Sequence, residues 1–155
     1  MADVVGALAE PPVVLASSLV LALACAMRGR PEPAARFAVA VPATSLVDKL
    51  LKLVVHEHRP RSDDKKPDQS FPSGHAGAMT AFALSAAFST RRRWALPVAF
   101  GAIVAVGVSR VRHREHWLHD VLAGNVLGMI GAGLGALAAR ALRRRVSETS
   151  CRSTA

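Results

Sequence analysis

Three short stretches of the chain carry residues able to hold an anion and do nucleophilic chemistry on it. In the first, running from Lys52 to Arg59 and Pro60, a spacing of seven puts the two cations on nearly one helical face, two turns apart. Pro60 disfavours helix at Arg59 and turns the chain away. The same residues have a plain structural reading, in which Lys52 pairs with Asp48 one turn earlier and Arg59 anchors a helix end at an interface. The second stretch is Pro72, Ser73, Gly74 and His75, directly before an apolar run. Ser73 suits a helix cap, Gly74 lets backbone approach a ligand, and the exposed N–H groups with the helix dipole behind them favour an anion beside His75. An ordinary capped helix start with an interfacial histidine explains the same four residues.

The third stretch runs from Ser109 and Arg110 through His116 to Asp120. Four residues separate His116 from Asp120, so on a helix the carboxylate can accept the Nδ1 proton and leave Nε2 free as a nucleophile. A carboxylate at the mouth of an apolar run is costly unless paired, although a helix-start aspartate stabilised by the dipole is the simpler alternative. A metal site competes, because His113, His116 and His119 recur every three residues beside Asp120, with His56 and His58 elsewhere. The convergence of Lys52, Arg59 and Arg110 suits an anion better than a divalent cation, so no metal and no other cofactor is expected. His56, His58, His113 and His119 then read as polar loop residues. Neither a GxGxxG nor a Walker-type glycine loop occurs, which leaves nucleotide binding without support.

The elements that must position these residues are apolar. The chain has 155 residues, 51% hydrophobic and 20% charged, with a mean hydropathy of +0.27, enough apolar surface to exclude disorder. Apolar runs lie at about 11–27, 34–55, 74–90, 94–108 and 120–139, each near the length that crosses hydrocarbon. Stretches such as Val13 to Met27 and Trp94 to Val108 are apolar nearly all round, unlike helices of a soluble bundle. The expected fold class is therefore all-α, an integral-membrane bundle of about five transmembrane helices. It forms a single domain over 1–146, followed by a polar, disordered tail over 147–155. Gly124, Gly128, Gly131 and Gly135 share one face of the last run, for close helix packing.

Charge placement orients the bundle. A net charge of +9 and a pI near 11.2 would suit nucleic acid, but the basic residues sit between apolar runs. Arg28, Arg30 and Arg36, then Arg91, Arg92 and Arg93, then Arg140, Arg143, Arg144, Arg145 and Arg152 fall on one side, which the positive-inside rule makes cytoplasmic. They read as topology anchors and contacts to anionic membrane lipids, with no nucleic-acid partner. The histidine-rich loops from about His56 to Ser73 and Ser109 to His119 share the other, extracytoplasmic face. Asp3 and Glu10 precede the first run, against a signal peptide. Two cysteines, Cys25 and Cys151, build neither a disulfide framework nor a four-ligand zinc site.

Taken together, the three stretches resemble the signature of the type 2 phosphatidic acid phosphatase superfamily, which includes lipid phosphatases, bacterial acid phosphatases and vanadium haloperoxidases. The resemblance spans residues 52–120 and meets each fixed position in order. The gap from Arg61 to Phe71 is short for the family, and five spans in place of six imply that a first helix is missing. The resemblance implies that Lys52, Arg59 and Arg110 neutralise phosphate oxygens, with Ser73 and the Gly74 N–H completing the cradle. It implies that His116 attacks phosphorus, that Asp120 orients it, and that His75 is the general acid and later the base. A bell-shaped pH profile follows.

A site at the water–membrane interface implies a lipid phosphate substrate, and an outward-facing site in a compact chain points to a polyprenyl-linked phosphate, with phosphatidate and phosphatidylglycerol phosphate as alternatives. Two other classes compete. A haloperoxidase would hold vanadate in the same pocket, but its relatives are soluble. A non-enzymatic transporter is suggested by Asp48 and Lys49 within a span.

Overall fold

A computed structural model describes residues 7–60, 69–90 and 92–152, with 146–152 as helical backbone only. Asp3, Arg91, the loop residues 61–68 and the side chains of the 147–155 tail lie outside the described residues. The described chain is all-helical and contains no strand: α1 (Pro11–Met27), α2 (Pro31–Val54), α3 (Gly74–Thr90), α4 (Ala95–Arg112) and α5 (Leu118–Arg152).

Helix ends follow local chemistry. Pro11 and Pro12 open α1, where a missing N–H costs nothing. That helix closes at Gly29, whose φ of 65° lets the amides of Arg28, Gly29 and Arg30 fold back onto carbonyls of the last turn. Pro31 then starts α2, three residues before the expected apolar run. α4 continues to Arg112, past its expected end at 108, and turns through Arg114 at φ 54°. α5 runs past 139 and on to Arg152, into the stretch expected to be tail. Its Ala-, Leu- and Arg-rich continuation has the high helix propensity that the end of hydrophobicity does not remove.

α5 packs against both α2 and α3, and its small residues make that possible. A Cβ at Gly124 would collide with the Ser73 carbonyl, and one at Gly131 with the Thr44 hydroxyl. The interior is otherwise made of small side chains, with Val14, Ala40, Val41, Ala78 and Ala81 forming one cluster and the Phe37 and Phe82 rings tilted beside it at 5.7 Å.

Many large apolar side chains face outward, and several polar ones are buried. Val20 is 65% and Phe100 69% exposed, while Ser18 and Asp120 are wholly buried. Bands of exposed Leu, Val and Phe also cover the outer faces of α4 and α5. By length and hydropathy, α4 and the Leu118–Arg145 part of α5 are able to cross a membrane. α1 is apolar but has 17 residues, α3 has 17, and α2 is interrupted by Arg36, Asp48, Lys49 and Lys52.

Candidate active site

The three chemical stretches meet at one end of the bundle, where α2 ends, α3 begins and the α4–α5 turn folds over them. Lys52 projects from the last turn of α2 and its Nζ lies 2.9 Å from Asp48 Oδ2. The pairing considered as a structural alternative therefore exists, and it holds Lys52 at the pocket. Gly74 is what lets α3 start there: a Cβ would sit 3.1 Å from Asp48 Oδ2 and 3.3 Å from Lys52 Nζ.

Ser73 precedes the first helical residue of α3 and its carbonyl accepts the Gly77 N–H at 3.0 Å, as an N-cap should. Its side chain does not cap. The hydroxyl is buried with no hydrogen-bond partner among the described residues, and the Nε of Arg59 is in the same condition. Buried donors of this kind are costly unless a ligand meets them. The other end of the Arg59 guanidinium donates to the Glu115 carbonyl at 3.0 Å. Arg110, almost wholly buried on the last turn of α4, donates to Glu115 Oε2 at 2.7 Å and to the Ser109 hydroxyl at 3.1 Å.

The two histidines face one another across this ring of cations, with centroids 6.4 Å apart and planes inclined by 60°. Arg110 and Lys52 are among the charges felt by His75, and Arg59, Asp120 and Lys52 among those felt by His116. Asp120 does not make the direct hydrogen bond to His116 Nδ1 expected from their spacing. Its nearer oxygen lies 3.6 Å from Nδ1, whereas the Ser70 carbonyl lies at 2.8 Å. A carbonyl only accepts, so Nδ1 carries the proton and Nε2 keeps its lone pair. The Asp120 carboxylate instead accepts from the Ser70 hydroxyl and, at 2.9 Å, from the Trp117 N–H, while its backbone carbonyl accepts from Ser73 N–H at 3.0 Å. It thus ties together the Ser70 segment, the α4–α5 turn and the start of α3. Burial, then Arg59, pushes His116 down to about 4, with Asp120 pulling the other way and Lys52 adding to the fall. The imidazole is neutral at neutral pH.

The histidine triad considered for a metal does not converge among the described residues. His113 Nδ1 meets the Ser109 carbonyl at 2.8 Å, His116 meets Ser70, and His119 Nε2 lies 2.7 Å from Glu57 Oε1 and 3.2 Å from Asp120 Oδ1. The His119–Glu57 contact, with Trp117 Nε1 donating to the His58 carbonyl at 3.0 Å, clasps the segment carrying Arg59 onto the start of α5. Sequence reasoning missed Ser70, Glu115 and this clasp. Only Glu115 left a trace, as a carboxylate beside His116 in an otherwise cationic stretch.

With this geometry in hand, comparison with known proteins identifies the class. The family model described as the PAP2 superfamily matches residues 33–144, and the chain belongs to that superfamily. It is similar to a lipid A 1-phosphatase of Porphyromonas gingivalis, with 34% identity over 70 residues, 43% of this chain and 15% of that protein. The chain thus spans a small part of that relative's length. No solved structure matches it.

Proposed function

We propose that the protein is an integral-membrane lipid phosphatase that removes a phosphate from a lipid through a phosphohistidine intermediate. The observation that carries this reading is the His75–His116 pair, 6.4 Å apart inside a ring of three cations, with the Nε2 lone pair of His116 freed by the Ser70 carbonyl. Superfamily membership and the similarity to a lipid A 1-phosphatase support it.

In this mechanism Lys52, Arg59 and Arg110 bind the phosphoryl oxygens, and Ser73 with the Gly74 N–H meets the remaining charge. His116 Nε2 forms a bond to phosphorus as the bond to the leaving oxygen breaks, and His75 gives its proton to that oxygen. The bound phosphate itself favours a protonated His75, because an anion beside the imidazole stabilises its charged form. Water then attacks phosphorus, His75 takes its proton, and the N–P bond breaks to release inorganic phosphate and neutral His116.

Exposed apolar faces on the helices and arginines concentrated at the opposite end support five membrane passes with the site on the extracytoplasmic side. The tail of a lipid can stay among the helices while its phosphate enters the pocket. A polyprenyl-linked phosphate is our preferred substrate, phosphatidate and phosphatidylglycerol phosphate the alternatives. The test is phosphate release from each of these lipids by purified protein. Release that persists in EDTA and stops with orthovanadate is expected. No hydrolysis of any of them, with net lipid movement across proteoliposomes instead, would establish the transporter.

A further inference from the structure

We infer that Glu115 is an internal competitor for the phosphate cradle, occupying Arg110 in the empty enzyme and displacing inorganic phosphate after turnover. The inference rests on the phosphatase reading of the same site. Among the described residues, one carboxylate, that of Glu115, bonds an arginine of this anion-binding pocket. Glu115 Oε2 lies 2.7 Å from Arg110 Nη1, the distance a phosphoryl oxygen would take. The backbone carbonyl of the same residue accepts from Arg59 at 3.0 Å, so one residue holds both arginines.

Local structure fixes the backbone of Glu115 independently of its side chain. Arg114, at φ 54°, reverses the chain, and the Glu115 N–H returns to the Arg110 carbonyl at 3.1 Å. The Glu115 side chain is 25% exposed against 5% for that of Arg110. It therefore has a path to water that the guanidinium lacks. His75 lies within the field of the same carboxylate.

The consequence is an exchange. Three cations converging on a buried dianion would bind product as well as substrate, and a tightly held product limits turnover. A carboxylate that reclaims Arg110 as phosphate loosens weakens product binding without touching the reacting atoms. Glu115 is in this sense a positioning residue. The covalent steps, and their proton balance, are unchanged by it.

The experiment compares the full-length protein with Glu115→Gln and Glu115→Ala, measuring competitive inhibition by inorganic phosphate and orthovanadate alongside kcat and KM. Removing the charge is expected to tighten both inhibitors about fivefold, less than the roughly tenfold of a fully buried charge-assisted bond because the Glu115 side chain is partly exposed. KM should fall with kcat, whereas a general structural defect lowers kcat and weakens binding. Glu115→Asp, which keeps the charge, should return the inhibition constants toward wild type. Thermal protection by vanadate supplies the same comparison without turnover. Unchanged or weaker inhibition in both charge-removing variants, with wild-type hydrolysis intact, overturns the inference and leaves the phosphatase reading standing. A wild-type protein that hydrolyses nothing overturns both.

Discussion

Replacing Asp120 by Asn separates two roles that their spacing had merged, orienting His116 and stabilising its charge. Asp120 Oδ2 lies 3.6 Å from Nδ1, too far for the bond that the Ser70 carbonyl makes at 2.8 Å. If the carbonyl sets the tautomer, Asp120→Asn leaves Nδ1 protonated and Nε2 nucleophilic. What is lost is attraction between the carboxylate and the positive charge that develops on the ring as the N–P bond forms. A full charge pair near 4 Å at an effective dielectric of 20 is worth about 4 kcal/mol, so half a charge in the transition state gives about 2 kcal/mol. That converts to about 30-fold in kcat. A carboxylate whose loss imposes the wrong tautomer costs about 10⁴-fold, as in serine proteases. Steady-state phosphate release in detergent or bicelles, with folding checked by circular dichroism, reads the difference. A fall of about 10⁴-fold in a folded variant refutes the assignment of the tautomer to Ser70.

Other expectations follow from the same geometry. Because His116 is held down to about 4, its attacking neutral form persists well below neutrality, and the acid limb of kcat/KM should lie near that value. Arg59 is the main charged cause of the lowering, so Arg59→Gln should move that limb upward toward 6.5, and a downward or absent shift would contradict the placement of Arg59. Gly124→Ala drives a methyl into the Ser73 carbonyl and should destabilise by about 1–3 kcal/mol, whereas Gly133→Ala, with nothing within 4 Å, should leave the melting temperature within a degree or two. His75→Ala should slow both formation and hydrolysis of the phosphoenzyme in a rapid-quench experiment, rather than only one of them.

Much of the architecture could be read from the sequence because its signals are local. Proline pairs and Gly29 bound α1, and Ser73 and Gly74 set the start of α3 at the residue where the apolar run begins. The far end of α5 was not legible, because arginine-rich helix carries no apolar periodicity to mark it. Lys52, Arg59, Ser73, Gly74, His75, Arg110, His116 and Asp120 were singled out by residue type and spacing, their phosphatase roles came from the family resemblance, and the fold draws them to one end of the bundle. Ser70 was invisible because its contribution is a backbone carbonyl brought to His116 across 46 positions of chain. No residue type encodes such a contact. The i,i+4 rule suggested Asp120 for Nδ1, but His116 sits in the turn before α5 rather than on the helix, where that rule does not apply.

The most direct measurement is to quench the protein during turnover of a radiolabelled lipid phosphate and map the label by peptide mass spectrometry. An acid-labile, alkali-stable phosphoryl group on His116, absent from His116→Ala together with phosphate release, is the predicted result. Undiminished turnover in His116→Ala, or label carried by another residue, would contradict the account.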